Sequence, residues 1–198
     1  MHIMPGWFTL IGTGADPKEN HSHGLKQPSL FNNKARKDRD RNVNIRLAKE
    51  NDIPRIMDLL LQVHKVHSDA RPDIFTPGET KYTPSELSLI IQDKQRPIFV
   101  AEDEEGIVQG YCFCIFEITQ GEHSLTDRKV LYIDDLCVEE KKRGTHIASS
   151  LCRFVTEFAK NEGFDSITLN VWNFNESAAR FYDYMGFTPL KTVMELPL

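Results

Sequence analysis

Two hydrophobic rhythms alternate along the chain from Val43 onward. VNIRLA (43–48) sets apolar and polar residues in turn, as a half-buried strand does. IPRIMDLLLQVHKVH (53–67) repeats its apolar residues at helical spacing, behind the N-cap candidates Asn51 and Asp52 and with Pro54 in the first turn. RPDIFTPGE is dense in turn residues and reads as a loop. Thr83, Pro84 and Glu86 then form a capping box with proline at the first helical position, which predicts a second, shorter helix over TPSELSLIIQD. PIFVAED (97–103) and IVQGYCFCIFEI (107–118) predict two strands joined by a turn at 104–106. VLYIDDLCV (130–138) predicts another strand, with two adjacent acids inside it. A long amphipathic helix through ASSLCRFVTEFAKNEG closes at Gly163, a C′ glycine. SITLNVW (166–172) reads as a strand, ESAARFYDYMG (176–186) as a helix and TPLKTVMEL (188–196) as a last strand. This order predicts a mixed α/β (α+β) layer arrangement on a largely antiparallel sheet.

Composition sharpens the boundaries. The chain has 198 residues, 40% of them hydrophobic, which is one domain's worth. Residues 1–42 carry Gly, Pro, Asn and His without periodicity, and are expected to form a poorly ordered extension before a domain spanning 43–198. In that extension KARKDRDR interleaves acids with bases and reads as a solvated linker. HSHG lacks the further ligands of a metal site, and His64 and His67, at i and i+3, have no third ligand beside them. No metal is expected. The net charge of −5 is uneven, because residues 1–42 carry +3 and the remainder −8. An acidic body argues against nucleic acid as a partner and suits a cationic small molecule.

Cys112, Cys114, Cys137 and Cys152 form no CxxC pair, and Cys112 and Cys114 share one strand face. Buried thiols in a reducing, cytoplasmic setting are expected. No apolar run reaches the roughly 18 residues of a membrane helix, so no membrane is expected. The opening MHIMPGWFTLIGTG has no basic segment before its apolar piece and is a poor signal peptide.

The chemistry concentrates in VLYIDDLCVEEKKRGTHIA. A strand runs into a basic turn, and the turn opens a helix. The first N–H groups of that helix lack intrahelical partners and carry partial positive charge, so they suit a pyrophosphate. Arg143 adds fixed charge and Gly144 allows close backbone approach. The stretch is neither GxxxxGK[ST] nor GxGxxG, and taken alone it describes equally a basic helix start without a ligand. Asp134 and Asp135 are neighbours in a strand and are expected to face opposite sides, so that one enters the cleft. Two acids in an apolar strand are costly without partners, and at least one should be engaged.

IDDLCVEEKKRGTHIASSL and, about thirty residues later, LNVWNFNESAARFYDYMGF together resemble the GNAT acyltransferase superfamily, whose members move an acetyl group from acetyl-CoA to an amine. Against the family's R/Q-x-x-G-x-G/A turn, Arg143 and Ala148 match and His146 replaces the inner glycine. Histidine is enriched among non-glycine residues at positive φ and can serve there. Asn175, Ala178 or Ala179, Tyr182, Gly186 and Phe187 match the late motif. The resemblance covers the elements from Val43 to about Leu196 and is densest over 132–187.

It implies a GNAT-like sheet flanked by helices, with acetyl-CoA held by Leu136, Cys137 and Val138 along the strand end and by Arg143, Gly144, Thr145, His146, Ile147, Ala148 and Ser149 at the turn. Asn175 would hydrogen-bond the cofactor or cap the following helix. Tyr182 would protonate the leaving thiolate, its alternative being a packed helix aromatic. Tyr184 faces away by helix geometry. Asp134 would accept the amine's proton, and Asp135 would bind a cationic substrate or sit in a structural network. The N–H near Leu136 would receive the developing oxyanion. Phe75, Trp172 and the 71–75 loop would line the acceptor pocket, although packing suits Trp172 equally. Cys137 has no adjacent His and is expected to contribute backbone only. The acceptor implied is a small-molecule primary amine, polyamine-like. A protein N-terminus or lysine is an alternative, as is a non-catalytic CoA-binding domain. A homodimer is allowed and not required.

Overall fold

The computed structural model describes residues 43–198. The extension expected over 1–42, with HSHG and KARKDRDR, lies outside the described residues. The elements are β1 (Asn44–Leu47), a 3-10 turn (Glu50–Asp52), α1 (Ile53–Ala70), α2 (Pro84–Gln92), β2 (Ile98–Glu102), β3 (Val108–Thr119), β4 (Arg128–Val138), a second 3-10 turn (Glu140–Lys142), α3 (Ile147–Asn161), β5 (Ser166–Leu169) and α4 (Glu176–Tyr184). The strands form one sheet in chain order. The first three pairings are antiparallel and only β4 with β5 is parallel.

Both faces of this sheet are covered, which explains why PIFVA and GYCFC are continuously apolar. On one face Ile56, Leu59 and Leu60 of α1 and Leu87 and Ile90 of α2 pack on Ile98, Val100, Tyr111 and Phe113. On the other, Leu151 and Val155 of α3 pack on Phe99, Ala101, Cys112, Cys114, Leu131 and Ile133. All four cysteines are buried and unbridged.

Local chemistry sets several boundaries. Thr83 Oγ1 accepts from the Glu86 N–H, and Glu86 reaches back to the Thr83 N–H at 2.8 Å, so the capping box forms as its residues predict. Asp52 does flank α1, but its carboxylate takes the Lys49 N–H and Arg46 instead of capping the helix. Gly163 adopts φ 71° beyond α3, and the Phe164 N–H returns to the Ala159 carbonyl at 2.9 Å.

Two expectations fail at the C-terminal side. β5 ends at Leu169 rather than Trp172, and residues 188–196 form no strand. An alternating pattern makes a strand only where a neighbour takes up its N–H and C=O groups, and β5 is paired with β4 alone among the described residues. The tail is instead anchored at one point, Glu195 to Arg71 at 3.1 Å, with Leu190, Val193, Met194 and Leu196 exposed.

Candidate active site

The site begins where two strands part. β4 and β5 pair in register through Ile133 and Leu169 and no further, while β4 continues to Val138. Asp134 is the first residue past the split. From there one edge of β4 lies free of any neighbouring strand among the described residues, and Leu136, Cys137 and Val138 follow on it.

The split coincides with a bulge. Phe113 of β3 pairs with Asp135, and Cys114, the next residue of β3, pairs with Ile133, so Asp134 is an extra residue with no partner opposite. The expectation that the two acids face opposite sides therefore fails. One inserted residue resets the two-residue alternation and turns both carboxylates toward the α1/α2 face. Asp134 takes a hydrogen bond from the Tyr82 hydroxyl at 2.7 Å, and Asp135 takes one from the Tyr111 hydroxyl at 3.0 Å. Tyr82 and Tyr111 both pack on the Phe113 ring, which confirms the shared face.

The two acids live in different environments. Asp134 also receives the Lys81 ammonium, with Nζ 2.6 Å from Oδ1 and 3.3 Å from the Asp134 carbonyl. Both of its carboxylate oxygens are thus engaged. Behind it the Arg96 guanidinium donates to the Tyr82 hydroxyl at 3.1 Å, and burial holds the Tyr82 phenol well above its ordinary pKa. The Asp135 carboxyl is buried, and that burial pushes its pKa up to about 6 against the pull of Lys81 and Tyr111. Neither Lys81, Tyr82 nor Tyr111 is marked in the sequence. Lys81 and Tyr82 lie 53 and 52 residues before Asp134, in an unpatterned segment ahead of the capping box.

The strand end is clamped from α1. The Gln62 amide donates to the Val138 carbonyl at 3.0 Å and accepts from the Glu140 N–H at 3.0 Å, while Arg55 binds Glu139. The Val138 carbonyl is therefore already partnered, and Leu136 is the better placed of the three to meet a ligand strand. Cys137 is buried, its thiol lying 3.5 Å from the Leu59 carbonyl and pushed up to about 12 by burial. It is no nucleophile at neutral pH.

Beyond the clamp the basic turn opens α3. Gly144 has φ 79°, and a Cβ built there would meet nothing within 4 Å. His146 is the single positive-φ non-glycine among the described residues, at φ 68°. It occupies the left-handed position an inner glycine would take, and it is exposed. Its backbone takes the left-handed conformation open to a glycine there. Thr145 bonds the Lys142 carbonyl, Ser149 bonds the His146 carbonyl at 2.8 Å, Ile147 is buried as an anchor, and Ala148 is half-buried. Arg143 is exposed. The space over Gly144, the free first-turn N–H groups and Arg143 together fit a pyrophosphate. A cavity of about 310 Å³ adjoins the turn, but Asp103, Glu104 and Glu105 line it, so an anion is disfavoured there.

Asn175 caps α4, its Oδ1 accepting from the Ala178 N–H at 3.1 Å. That settles the capping role and leaves its amide nitrogen for other use. Tyr182 is half-buried between Phe181 and Phe187. Burial, reinforced by Cys112, Asp135 and Cys152, raises its phenol well above the ordinary value, so it keeps its proton at neutral pH. Tyr184 is 77% exposed and faces away.

Phe75 and Trp172 meet edge to face at 5.4 Å. His67 and Phe174 complete the cluster, and His64 lies against Phe75 while its Nε2 is 2.7 Å from the Thr76 carbonyl. The pair His64 and His67 thus supports an aromatic wall rather than a ligand set. Burial lowers the His67 pKa, with the nearby Lys81 charge contributing.

Residues 60–187 match the model of the Acetyltransferase (GNAT) family. The chain is 38% identical over 60 residues to N-acetyltransferase family 8 member 2 of Rattus norvegicus, covering 30% of this chain and 26% of that protein. It is 30% identical over 89 residues to N-acetyltransferase 8B of Homo sapiens, covering 45% and 37%. The matched stretches thus span only 26% to 37% of the length of these curated relatives. A tetramutant of the BH1408 protein from Bacillus halodurans superposes with a TM-score of 0.76 at 34% identity, covering 78% of this chain and 99% of that one.

Proposed function

Since the chain belongs to the GNAT acetyltransferase family, we propose that it transfers an acetyl group from acetyl-CoA to a primary amine, favouring a small, cationic, polyamine-like acceptor. The observation that carries this reading is the split of β4 from β5 at Asp134, facing the opened turn of α3. A thioester laid along the free edge of Leu136 points its phosphates to Arg143 and the α3 N-terminus and its carbonyl to the backbone beside Asp134.

The residues divide the work. An acceptor ammonium near pKa ~10 cannot attack until it loses a proton, and Asp134 takes it. Tyr82 and Arg96 hold the Asp134 carboxylate in place from behind. Tyr182, still protonated at neutral pH, supplies a proton to the departing thiolate. Phe75, Trp172 and Phe174 offer ring faces to a cation next to two acids, a combination that favours ammonium over neutral acceptors.

A second reading, transfer to a protein lysine or N-terminus, is favoured by one observation: the ammonium now resting on Asp134 belongs to a lysine side chain. An acetylation panel of diamines, polyamines and lysine peptides, read by thiol release, distinguishes the two. Polyamines should turn over at least about tenfold faster than peptides. If no amine releases thiol and acetyl-CoA gives no heat-stabilisation, the transferase reading is wrong. The left-handed backbone at His146, the conformation an inner glycine would take, opposes the remaining alternative, a degenerate turn in a non-catalytic domain.

A further inference from the structure

We propose that Lys81 is itself an acetyl acceptor, so that the protein acetylates its own acceptor-side loop in cis. The inference rests on the transferase reading above and extends it to an assigned modification site.

The geometry is that of a bound substrate. Lys81 Nζ sits 2.6 Å from Asp134 Oδ1 and 3.3 Å from the Asp134 carbonyl, so it reaches the split from the acceptor side. Leu136, where the thioester carbonyl is expected, lies two residues on, roughly 6.6 Å at a strand's rise per residue. A lysine stem of four methylenes covers that difference by rotation about its own bonds. The Asp134 side chain is 10% exposed and that of Lys81 is 42% exposed. The carboxylate is therefore recessed, and the ammonium comes to it from the open side as an external amine would. Its ammonium also lies 5.6 Å from the centroid of the Tyr82 ring, whose hydroxyl holds the other Asp134 oxygen.

The other ion-paired lysines show what is particular here. Lys65 with Asp69 and Lys160 with Glu157 are helix-surface pairs in which both members are exposed. Such pairs fit ordinary surface electrostatics. Among the described residues, only the Lys81 partner is a recessed acid at the mouth of the strand split.

The step balances without a further reagent. The Lys81 ammonium passes one proton to Asp134. Its nitrogen then forms the N–C bond to the thioester carbonyl carbon and gives up its second proton to solvent as the C–S bond breaks, and the thiolate leaves with a proton from Tyr182. The products are an uncharged acetyl-lysine and free CoA, the proton held by Asp134 passing to solvent and Tyr182 being reprotonated from it. Acetylation removes the positive charge from Lys81 and so releases Asp134 Oδ1 from its ion pair, while Oδ2 keeps the Tyr82 hydroxyl. A self-acetylated enzyme presents an open carboxylate to the next amine.

The test is peptide mass spectrometry on the full chain incubated with acetyl-CoA and no added amine. Lys81 should gain one acetyl group at least about tenfold faster than Lys65 and Lys160, which serve as internal controls for uncatalysed acetylation, because it alone is held beside the thioester. The rate per molecule should be independent of protein concentration. Asp134→Asn should abolish the preference, and heat-unfolded protein should show none. Lys81→Arg keeps the charge and reports folding through its melting temperature. If acetyl-CoA stabilises the protein yet Lys81 reacts no faster than Lys65 and Lys160, the self-acetylation inference is overturned and the transferase reading stands. If acetyl-CoA neither stabilises the protein nor yields thiol with any amine, both are overturned.

Discussion

Asp135→Asn should make this protein more stable at neutral pH, although it removes a charged residue from the candidate active site. The native carboxyl is buried, and its pKa rises from 3.8 to about 6. A raised folded-state pKa means that the folded protein favours the protonated acid. The stability this group contributes is fully present below about pH 3.8 and is lost as pH rises through about 6. Two units at about 1.36 kcal/mol each give a ceiling near 3 kcal/mol lost at pH 7. Asparagine is a near-isostere of the neutral acid, and its carbonyl can still accept from the Tyr111 hydroxyl, now 3.0 Å from Asp135. For a domain of this size each kcal/mol moves the melting temperature by about 2–4 °C. The variant should therefore melt about 5–10 °C higher than wild type at pH 7. The gap should shrink as pH falls and close near pH 4, where wild-type Asp135 is protonated. The difference between variant and wild type matters rather than either curve alone. Asp52, held below its ordinary value by Arg46, and Glu102, held below its own by Asn44 and Arg46, destabilise both proteins alike on acidification. Paired melting curves from pH 4 to 8 read the effect. A variant that melts lower at pH 7, or a gap that stays constant with pH, would refute the reasoning.

The other predictions concern the turn and the transfer step. Tyr182→Phe should cut turnover by about 10²–10³ while leaving the acetyl-CoA dissociation constant within about twofold, read by thiol release and calorimetry; unchanged turnover would end its role as proton donor. His146→Gly should change acetyl-CoA affinity by less than about threefold, because the backbone already holds φ 68° and the ring is exposed; a gain beyond tenfold would show that the imidazole obstructs the phosphates. Gly110→Ala should destabilise by about 1–3 kcal/mol in chemical denaturation, since its Cβ would lie 2.8 Å from the Cys137 carbonyl and 3.3 Å from the Ile147 side chain, neither able to withdraw cheaply. An unchanged midpoint would show that the β4 end is more compliant than its clamp suggests.

Much of the domain was legible in the sequence because its signals are local. Element order follows hydrophobic period, the start of α2 follows Thr83, Pro84 and Glu86, and the turn at Gly144 follows from glycine's freedom at positive φ. The position of His146 was readable for the same reason, since it stands one helix start away from its reference residues. The failures share one cause. A strand over 188–196 requires a partner, and whether β5 provides one is not written in TPLKTVMEL. The facing of Asp134 and Asp135 depends on a bulge set by the register of β3 against β4, and a one-residue slip reverses an argument from alternation. Lys81, Tyr82, Gln62 and Phe174 were invisible as site residues because their importance comes only from what lies across the fold.

The sequence by itself determined most of the segments that become helix or strand, though not the end of β5 or the tail over 188–196, together with the apolar faces and the glycine turn ahead of α3, since each depends on residues within a few positions. Only the tertiary structure decided that Asp134 meets a lysine and Asp135 a tyrosine, that both acids share one face, and that one titrates near neutrality. Burial, register and ion pairing are properties of contacts made across 24 to 53 residues of chain. Such contacts leave no periodic mark on the segments that make them.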